Sequence, residues 1–259
     1  MRAVVVLVVL LIAAAVAPVA QAGQLTVFAA ASLTEYLKEL EPIFEKAHPG
    51  VTVRTNLAAS SECRLQIQQG APADVFLSAD NTSLALLTSA KLAEKAQLFA
   101  KNHLVLIAAK SERIGIKSPR DLTKRGAKLI LPQQASPIGK YTYLVLANLE
   151  AQYGGDYKRR VLANMVSEEQ NVKAVVAKVV LGEADAAFCY VSDVTPEVRE
   201  KVKTIAIPAA LNVTATYPIA VITASRQKAL ARDFVKLVLS PQGQALLSKH
   251  GLIPVRKTK

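Results

Sequence analysis

The sequence predicts an α/β fold, and three observations carry that expectation. From Thr26 onward, short apolar strand-like runs alternate with longer helix-like segments, the pattern of sheets flanked by helices. Two strand-to-helix turns are built from small and hydroxyl residues, Ala29-Ala30-Ala31-Ser32 and Ala58-Ala59-Ser60-Ser61. The 259 residues also exceed one typical domain of roughly 100–150 residues, so one large or two modest domains are expected.

The chain opens with a segment outside that pattern. Met1-Arg2, the apolar run Ala3 to Ala17 and the small-x-small Ala20-Gln21-Ala22 read as a secretory signal peptide over residues 1–22, cleaved near Ala22. No cysteine stands at the cleavage point, so a lipid anchor is not expected. No later stretch is long and apolar enough to span a bilayer. The mature chain is thus read as exported and soluble.

Leu25–Phe28 reads as the first strand, running into small residues with Ser32 where a helix should begin. Leu33 to Ala47 is a helix with Leu33, Leu37, Leu40, Phe44 and Ala47 on one face and a kink expected at Pro42. Val51–Thr55 alternates as a strand, a helix follows from Ser60-Ser61 to Gln69, and Gly70 stops it. Asp74–Leu77 is a short buried strand, Thr82–Ala90 a helix and His103–Ala109 an apolar strand. Ser118 caps a short helix, Lys128–Leu131 is a strand, and Pro137-Ile138-Gly139 starts a helix to about Tyr153. Tyr157–Asn164 and Val172–Leu181 are helices, and Asp185–Tyr190 is a buried strand. Thr204–Ile207 and Tyr217–Thr223 are further strands, and Gln227–Leu239 and Gln242–His250 close the chain as helices, Ser240-Pro241 capping the last.

The composition narrows the partners. Removing the leader removes Arg2 and no acid, leaving 31 Lys and Arg against 20 acids, a net charge of +11. Such a charge favours anionic partners. The basic residues are scattered, Lys158-Arg159-Arg160 being the densest run; there is no Trp, and aromatics do not interleave with the basic residues. Nucleic acid is therefore not an expected partner. Cys63 and Cys189 allow one disulfide, and their spacing does not say whether they meet.

Enzyme constellations are missing. There is no Gly-x-Ser-x-Gly elbow, and His48, His103 and His250 are not spaced with Cys, Asp or Glu as a zinc site requires. Gly139-Lys140 hints at a phosphate loop, but Gln134 stands where its first glycine belongs and Tyr141 where a Ser or Thr would hold magnesium. Asp74, Asp80, Asp185 and Asp193 read as strand-end or capping residues. What accumulates instead is helix starts beside small or hydroxyl residues: Ser32, Ser60-Ser61, Pro137-Ile138-Gly139 and Asn171-Val172. The first-turn N–H groups of a helix have no intrahelical partner and its dipole favours negative charge there. Several converging beyond the carboxyl ends of strands would hold a compact anion without a basic side chain.

Three segments carry a resemblance: Val27 to Thr34 (Val-Phe-Ala-Ala-Ala-Ser-Leu-Thr), Gln66 to Asp80, and Tyr190-Val191-Ser192-Asp193, with Leu239 to Gly251 matching solute-binding proteins more broadly. The chain resembles the periplasmic molybdate-binding proteins of bacterial ABC transporters over essentially all of its mature length. The resemblance implies a two-lobed periplasmic solute-binding fold of type II, each lobe a mixed sheet flanked by helices, with the ligand in a cleft between the lobes. Residues 23–103 and 216–259 would form lobe one, and residues 104–215 lobe two. It also implies a site of Ser32 and Ser60, each giving hydroxyl and N–H, the backbone N–H groups of Ile138 and Val172, and the Tyr190 phenol.

The chain departs from the family pattern at Ala59, so the second site serine is Ser60 or Ser61. Glu62 is expected to point to solvent. Ile138 is bulkier than the usual alanine, but its contact is a backbone one. Cys63 and Cys189 would lie in different lobes, where a disulfide would lock the cleft, so both are expected to be free. The function implied is capture of molybdate, and also tungstate, for delivery to an ABC permease in the inner membrane. The protein would be a periplasmic monomer, not an enzyme, with no cofactor, and would hold molybdenum only as the oxyanion. The alternative is a binding protein for sulfate or another tetrahedral oxyanion.

Overall fold

The computed structural model describes residues 23–256, so the expected leader and its cleavage near Ala22 lie outside the described residues. The first half carries β1 (Gly23–Ala30), α1 (Thr34–Ala47), β2 (Val51–Ala58), α2 (Ser60–Gln68), β3 (Val75–Leu77) and α3 (Asn81–Ser89). A long strand, β4 (Gln97–Ala109), leads on to β5 (Leu129–Pro132), α4 (Pro137–Tyr153), α5 (Tyr157–Ala163), β6 (Met165–Glu169), α6 (Val172–Val180) and β7 (Ala186–Tyr190). The chain finishes with α7 (Pro196–Lys201), β8 (Val202–Ile205), β9 (Thr214–Val221), α8 (Lys228–Leu239), α9 (Pro241–Lys249) and β10 (Ile253–Pro254).

The strands run in the order β2-β1-β3-β9-β4-β7-β5-β6, with β8 and β10 also on β4. β1, β2 and β3 are mutually parallel, as are β5, β6 and β7, while β9 and β4 run antiparallel to their neighbours. The order is symmetric about its centre. β2-β1-β3 is followed by the crossing strand β9, and β6-β5-β7 is followed by the crossing strand β4. β4 belongs to both groups: Gln97 to His103 pair with β9, and Leu104 to Ala108 pair with β7. Each parallel trio therefore sends three strand ends, and the turns after them, toward one side of its sheet.

Apolar strands make both cores. Leu25, Val27, Ala29, Val75 and Leu77 are buried in the first trio, and Leu129, Ile130, Leu131 and Ala186 to Tyr190 in the second. α1 packs Tyr36, Leu37, Leu40 and Phe44 inward, with the rings of Phe44 and Phe234 5.3 Å apart edge to face. A fully buried leucine contributes about 1.5–3 kcal/mol relative to leaving it in water, so this stripe is what holds α1 down. Ala47, expected on that stripe, is the last residue of α1 and is exposed. α1 continues unbroken through Pro42, which is itself exposed.

Four segments were not expected from the sequence. β6 is an edge strand whose charged Glu168 and Glu169 hide its pattern. The first half of β4 carries Gln97, Lys101 and Asn102 among apolar residues. α7 buries none of its residues, and β10 is two residues long. Cys63 in α2 and Cys189 in β7 are both free and buried, as expected. Burial pushes the Cys63 thiol up to about 12 and the Cys189 thiol well above its ordinary value, so both stay protonated.

Candidate anion site

All five residues expected at the site line one cavity: Ser32, Ser60, Ile138, Val172 and Tyr190. The remaining lining is Ala30, Ala31, Ala58, Ala59, Ala79, Ser136, Pro137 and Asn171, so no charged side chain takes part. The volume open to the centre of a water-sized sphere is about 20 Å³. That is the scale of one compact polyatomic ion rather than a sugar or an amino acid.

The symmetric strand order explains the convergence. After β1 comes Ser32 and after β5 comes Ile138; after β2 comes Ser60 and after β6 comes Val172; after β3 comes Ala79, and β7 ends in Tyr190. Ligands of open α/β sheets sit beyond the carboxyl ends of parallel strands, and here two such edges face each other. The small residues Ala30, Ala31, Ala58 and Ala59 keep side-chain bulk out of the space between.

The helix caps leave the right groups free. Ser136 accepts from Gly139 N at 3.1 Å and Asn171 from Ala174 N at 3.1 Å, each satisfying the third N–H of its helix. The N–H groups of Ile138 and Val172 precede those positions and have no partner within their helices, and both residues line the cavity. Gly139 makes this geometry possible at α4, since a Cβ there would stand 2.0 Å from the Gln133 carbonyl oxygen.

The two serines behave differently from the expectation of a cap. Ser32 lies inside a short 3-10 turn, Ala31–Leu33, makes no cap bond, and its Oγ is 3.0 Å from the Tyr217 hydroxyl. Ser60 is the first residue of α2 and its Oγ accepts from Ala79 N at 2.9 Å. Of Ser60 and Ser61, Ser60 is fully buried and lines the cavity, whereas Ser61 is half-buried and does not. Glu62 is likewise half-buried and outside the lining.

Tyr190 is 2% exposed and its hydroxyl has no hydrogen-bond partner. Burial, with Tyr217, Tyr141, Asp193 and Asp80 nearby, raises the phenol well above its ordinary value, so it keeps its proton and can only be useful as a donor or neutral acceptor. Leaving such a group unpaired costs about 1–3 kcal/mol, which a ligand accepting from it would offset.

The acids expected to be structural are so. Asp74 accepts from Thr26 N and Ser225 Oγ, Asp185 accepts from Lys128 N, and Asp193 accepts from Tyr190 N. Asp80 caps α3 through Ser83 N and pairs with Lys140 at 2.9 Å. Among the described residues no three His, Cys, Asp or Glu side chains gather to hold a metal ion, and no helix is long and apolar enough to cross a membrane. Sequence reasoning missed Tyr217, Asn102 and Lys140. Nothing local marks them, because their partners lie 185, 115 and 60 residues away.

The model of the bacterial extracellular solute-binding protein family matches residues 25–253 of this chain. The chain belongs to the bacterial extracellular solute-binding protein family. A relative at 37% identity over 235 residues, covering 90% of this chain and 86% of its own, is the molybdate-binding protein ModA of Mycobacterium tuberculosis. Two solved structures share the fold. The Azotobacter vinelandii periplasmic molybdate-binding protein gives a TM-score of 0.78 at 21% identity, with 90% of this chain and all of that one covered. The Mycobacterium tuberculosis sulfate-binding protein SubI gives 0.81 at 20% identity, with 90% and 87% covered. This solute-binding protein therefore has the mixed α/β, two-lobed fold of periplasmic binding proteins, and it is a binding protein rather than an enzyme.

Proposed function

We propose that this protein captures molybdate, and tungstate with it, between its two lobes and hands it to an ABC permease in the inner membrane from the periplasm. The observation that carries the reading is the unpartnered, buried Tyr190 hydroxyl in a cavity lined by serine hydroxyls, helix starts and the Asn171 amide, with no charged side chain. The 37%-identical relative named for molybdate supports the choice of ion. Ser32, Ser60 and Tyr190 would donate hydroxyls, and Ile138 and Val172 would donate N–H. Neutral donors spread a dianion's charge over many dipoles and avoid burying an ion pair. A cage of donors disfavours hydrogen phosphate, whose own O–H would lack an acceptor. Cage size disfavours the smaller sulfate.

Residues 23–103 with 216–259 would form lobe one and residues 104–215 lobe two. The change of strand partners between His103 and Leu104 supports that division. Molybdenum would be bound only as the oxyanion, with no further cofactor, by a monomer. Calorimetric competition among molybdate, tungstate, sulfate and phosphate tests the reading. One-to-one binding of molybdate and tungstate with no heat from phosphate is expected; sulfate binding as tight as molybdate would overturn it.

A further inference from the structure

Behind Ser32 lies a chain of buried polar groups with a fixed direction. The Asn102 Oδ1 accepts from His103 N at 3.0 Å, which sets the orientation of the side-chain amide. Its Nδ2 therefore faces the Ser192 Oγ at 2.8 Å and the Tyr217 hydroxyl at 3.4 Å. An amide nitrogen only donates, so the Tyr217 oxygen receives that proton. Its own O–H then has one partner, the Ser32 Oγ at 3.0 Å. Asn102 and Tyr217 are fully buried, so no solvent competes for the bonds between them, and Ser32 is buried but for the cavity it lines.

We propose that Asn102 and Tyr217 are positioning residues forming a one-way hydrogen-bond relay, Asn102 to Tyr217 to Ser32, that holds Ser32 as a donor toward the ligand. With its oxygen receiving from Tyr217, Ser32 has its proton free, and the cavity it lines is where that proton points. Ser60 has the same polarity by a separate route, because its oxygen receives from Ala79 N. The relay thus places part of the selectivity in residues outside the cavity lining: with Ser32 and Ser60 both turned to donate, an oxyanion without a proton is favoured at those two positions over one carrying a proton. It also ties the site to the crossing strands, since Asn102 is in β4 and Tyr217 in β9. This inference rests on the oxyanion reading.

A double-mutant cycle with calorimetry tests it, using molybdate and inorganic phosphate as probes. Tyr217→Phe keeps the buried ring and is expected to weaken molybdate about tenfold, the effect of one misdirected bond to a charged acceptor. The molybdate-to-phosphate ratio is expected to fall with it, because the Ser32 oxygen becomes free to accept. In a Ser32→Ala background the same substitution is expected to change molybdate affinity by less than about twofold, as non-additivity within one network predicts. Asn102→Ala is the second variant, which leaves Tyr217 in place, and its ratio is expected to shift the same way. An equal loss from Tyr217→Phe with and without Ser32, or an unchanged ratio in both variants, would overturn the relay while leaving molybdate binding by the wild type intact. Wild-type protein that binds sulfate as tightly as molybdate overturns the proposed function, and the cycle run on sulfate still decides the relay. Binding of neither ion overturns both.

Discussion

Tyr190 is the residue on which the proposed site turns, because its phenol is buried, protonated and without a hydrogen-bond partner among the described residues. Tyr190→Phe keeps the ring and removes the donor, and is expected to weaken molybdate by about 1–3 kcal/mol in a calorimetric titration. Unchanged affinity would remove Tyr190 from the site. Asp193, three residues on, carries a second consequence. Burial, only partly offset by Lys173 and the Tyr190 N–H and aided by Glu35, raises its carboxyl from 3.8 to about 6. Lys173 Nζ stands 3.5 Å from Oδ1, close enough to compensate charge, but Oδ1 has no hydrogen bond. The folded state therefore holds a proton that the unfolded chain has released between those two values. Stability from this group is present at low pH and is lost as pH rises through the window to about 6. Asp193→Asn keeps an acceptor for Tyr190 N, so its urea midpoint should gain on the wild type from pH 4 to about pH 6 and then level off. Parallel midpoints would show that Asp193 does not titrate there. Of these two residues only Tyr190 was legible in the sequence, and through family resemblance; an aspartate in Val-Ser-Asp gives no sign that it will be sealed from water.

At the scale of elements, the sequence was most readable where one face is buried and least where a segment lies at an edge. α4 and α6 were expected to within a residue or two at their starts, because Pro137 and Asn171 mark helix beginnings and Gly154 and Gly182 mark their ends. β6 was not, since an edge strand with glutamates has no apolar alternation to read. Gly139 was read as part of a helix start, and it is the third residue of α4. What the sequence did not show is the close approach of α4 to Gln133, which leaves no room for a Cβ there. Gly139→Ala should displace that turn, cost about 1–3 kcal/mol in chemical unfolding as an overpacked contact does, and weaken molybdate at least about tenfold. Lys140 in the next turn pairs with Asp80 at the start of α3, spanning the two strand groups beside the cavity. Its Asp80 side chain is 4% exposed while the lysine remains 36% exposed. Lys140→Met should leave a buried carboxylate without its countercharge, and stopped-flow competition should show molybdate leaving faster. Release at the wild-type rate would mean that the pair does not hold the two groups together.

For the whole molecule, the governing fact is that two parallel trios with the same strand order face each other across one small cavity. No internal repeat shows in the sequence, because the symmetry lies in strand order and not in side chains; Ala79 on one side stands where Tyr190 stands on the other. The fold alone does not choose the ion, as a sulfate-binding protein and a molybdate-binding protein match it almost equally. Choice of ion then falls to the cavity, whose proposed donors are drawn from both trios: Ser32 and Ser60 follow strands of the first, and Ile138, Val172 and Tyr190 follow or end strands of the second. A ligand held from both sides is lost if either side unfolds, so binding must stabilise both together. At a free concentration 100 times Kd the linkage is about 2.7 kcal/mol, which for a chain of this size raises the unfolding temperature by about 5–10 °C. Scanning calorimetry should show that rise with molybdate, none with sulfate at the same concentration, and a single transition in the presence of ligand even if the two halves melt separately without it. Two transitions of which only one moves would mean that the ion is held by one trio alone, and the facing strand ends would then lose their role in binding.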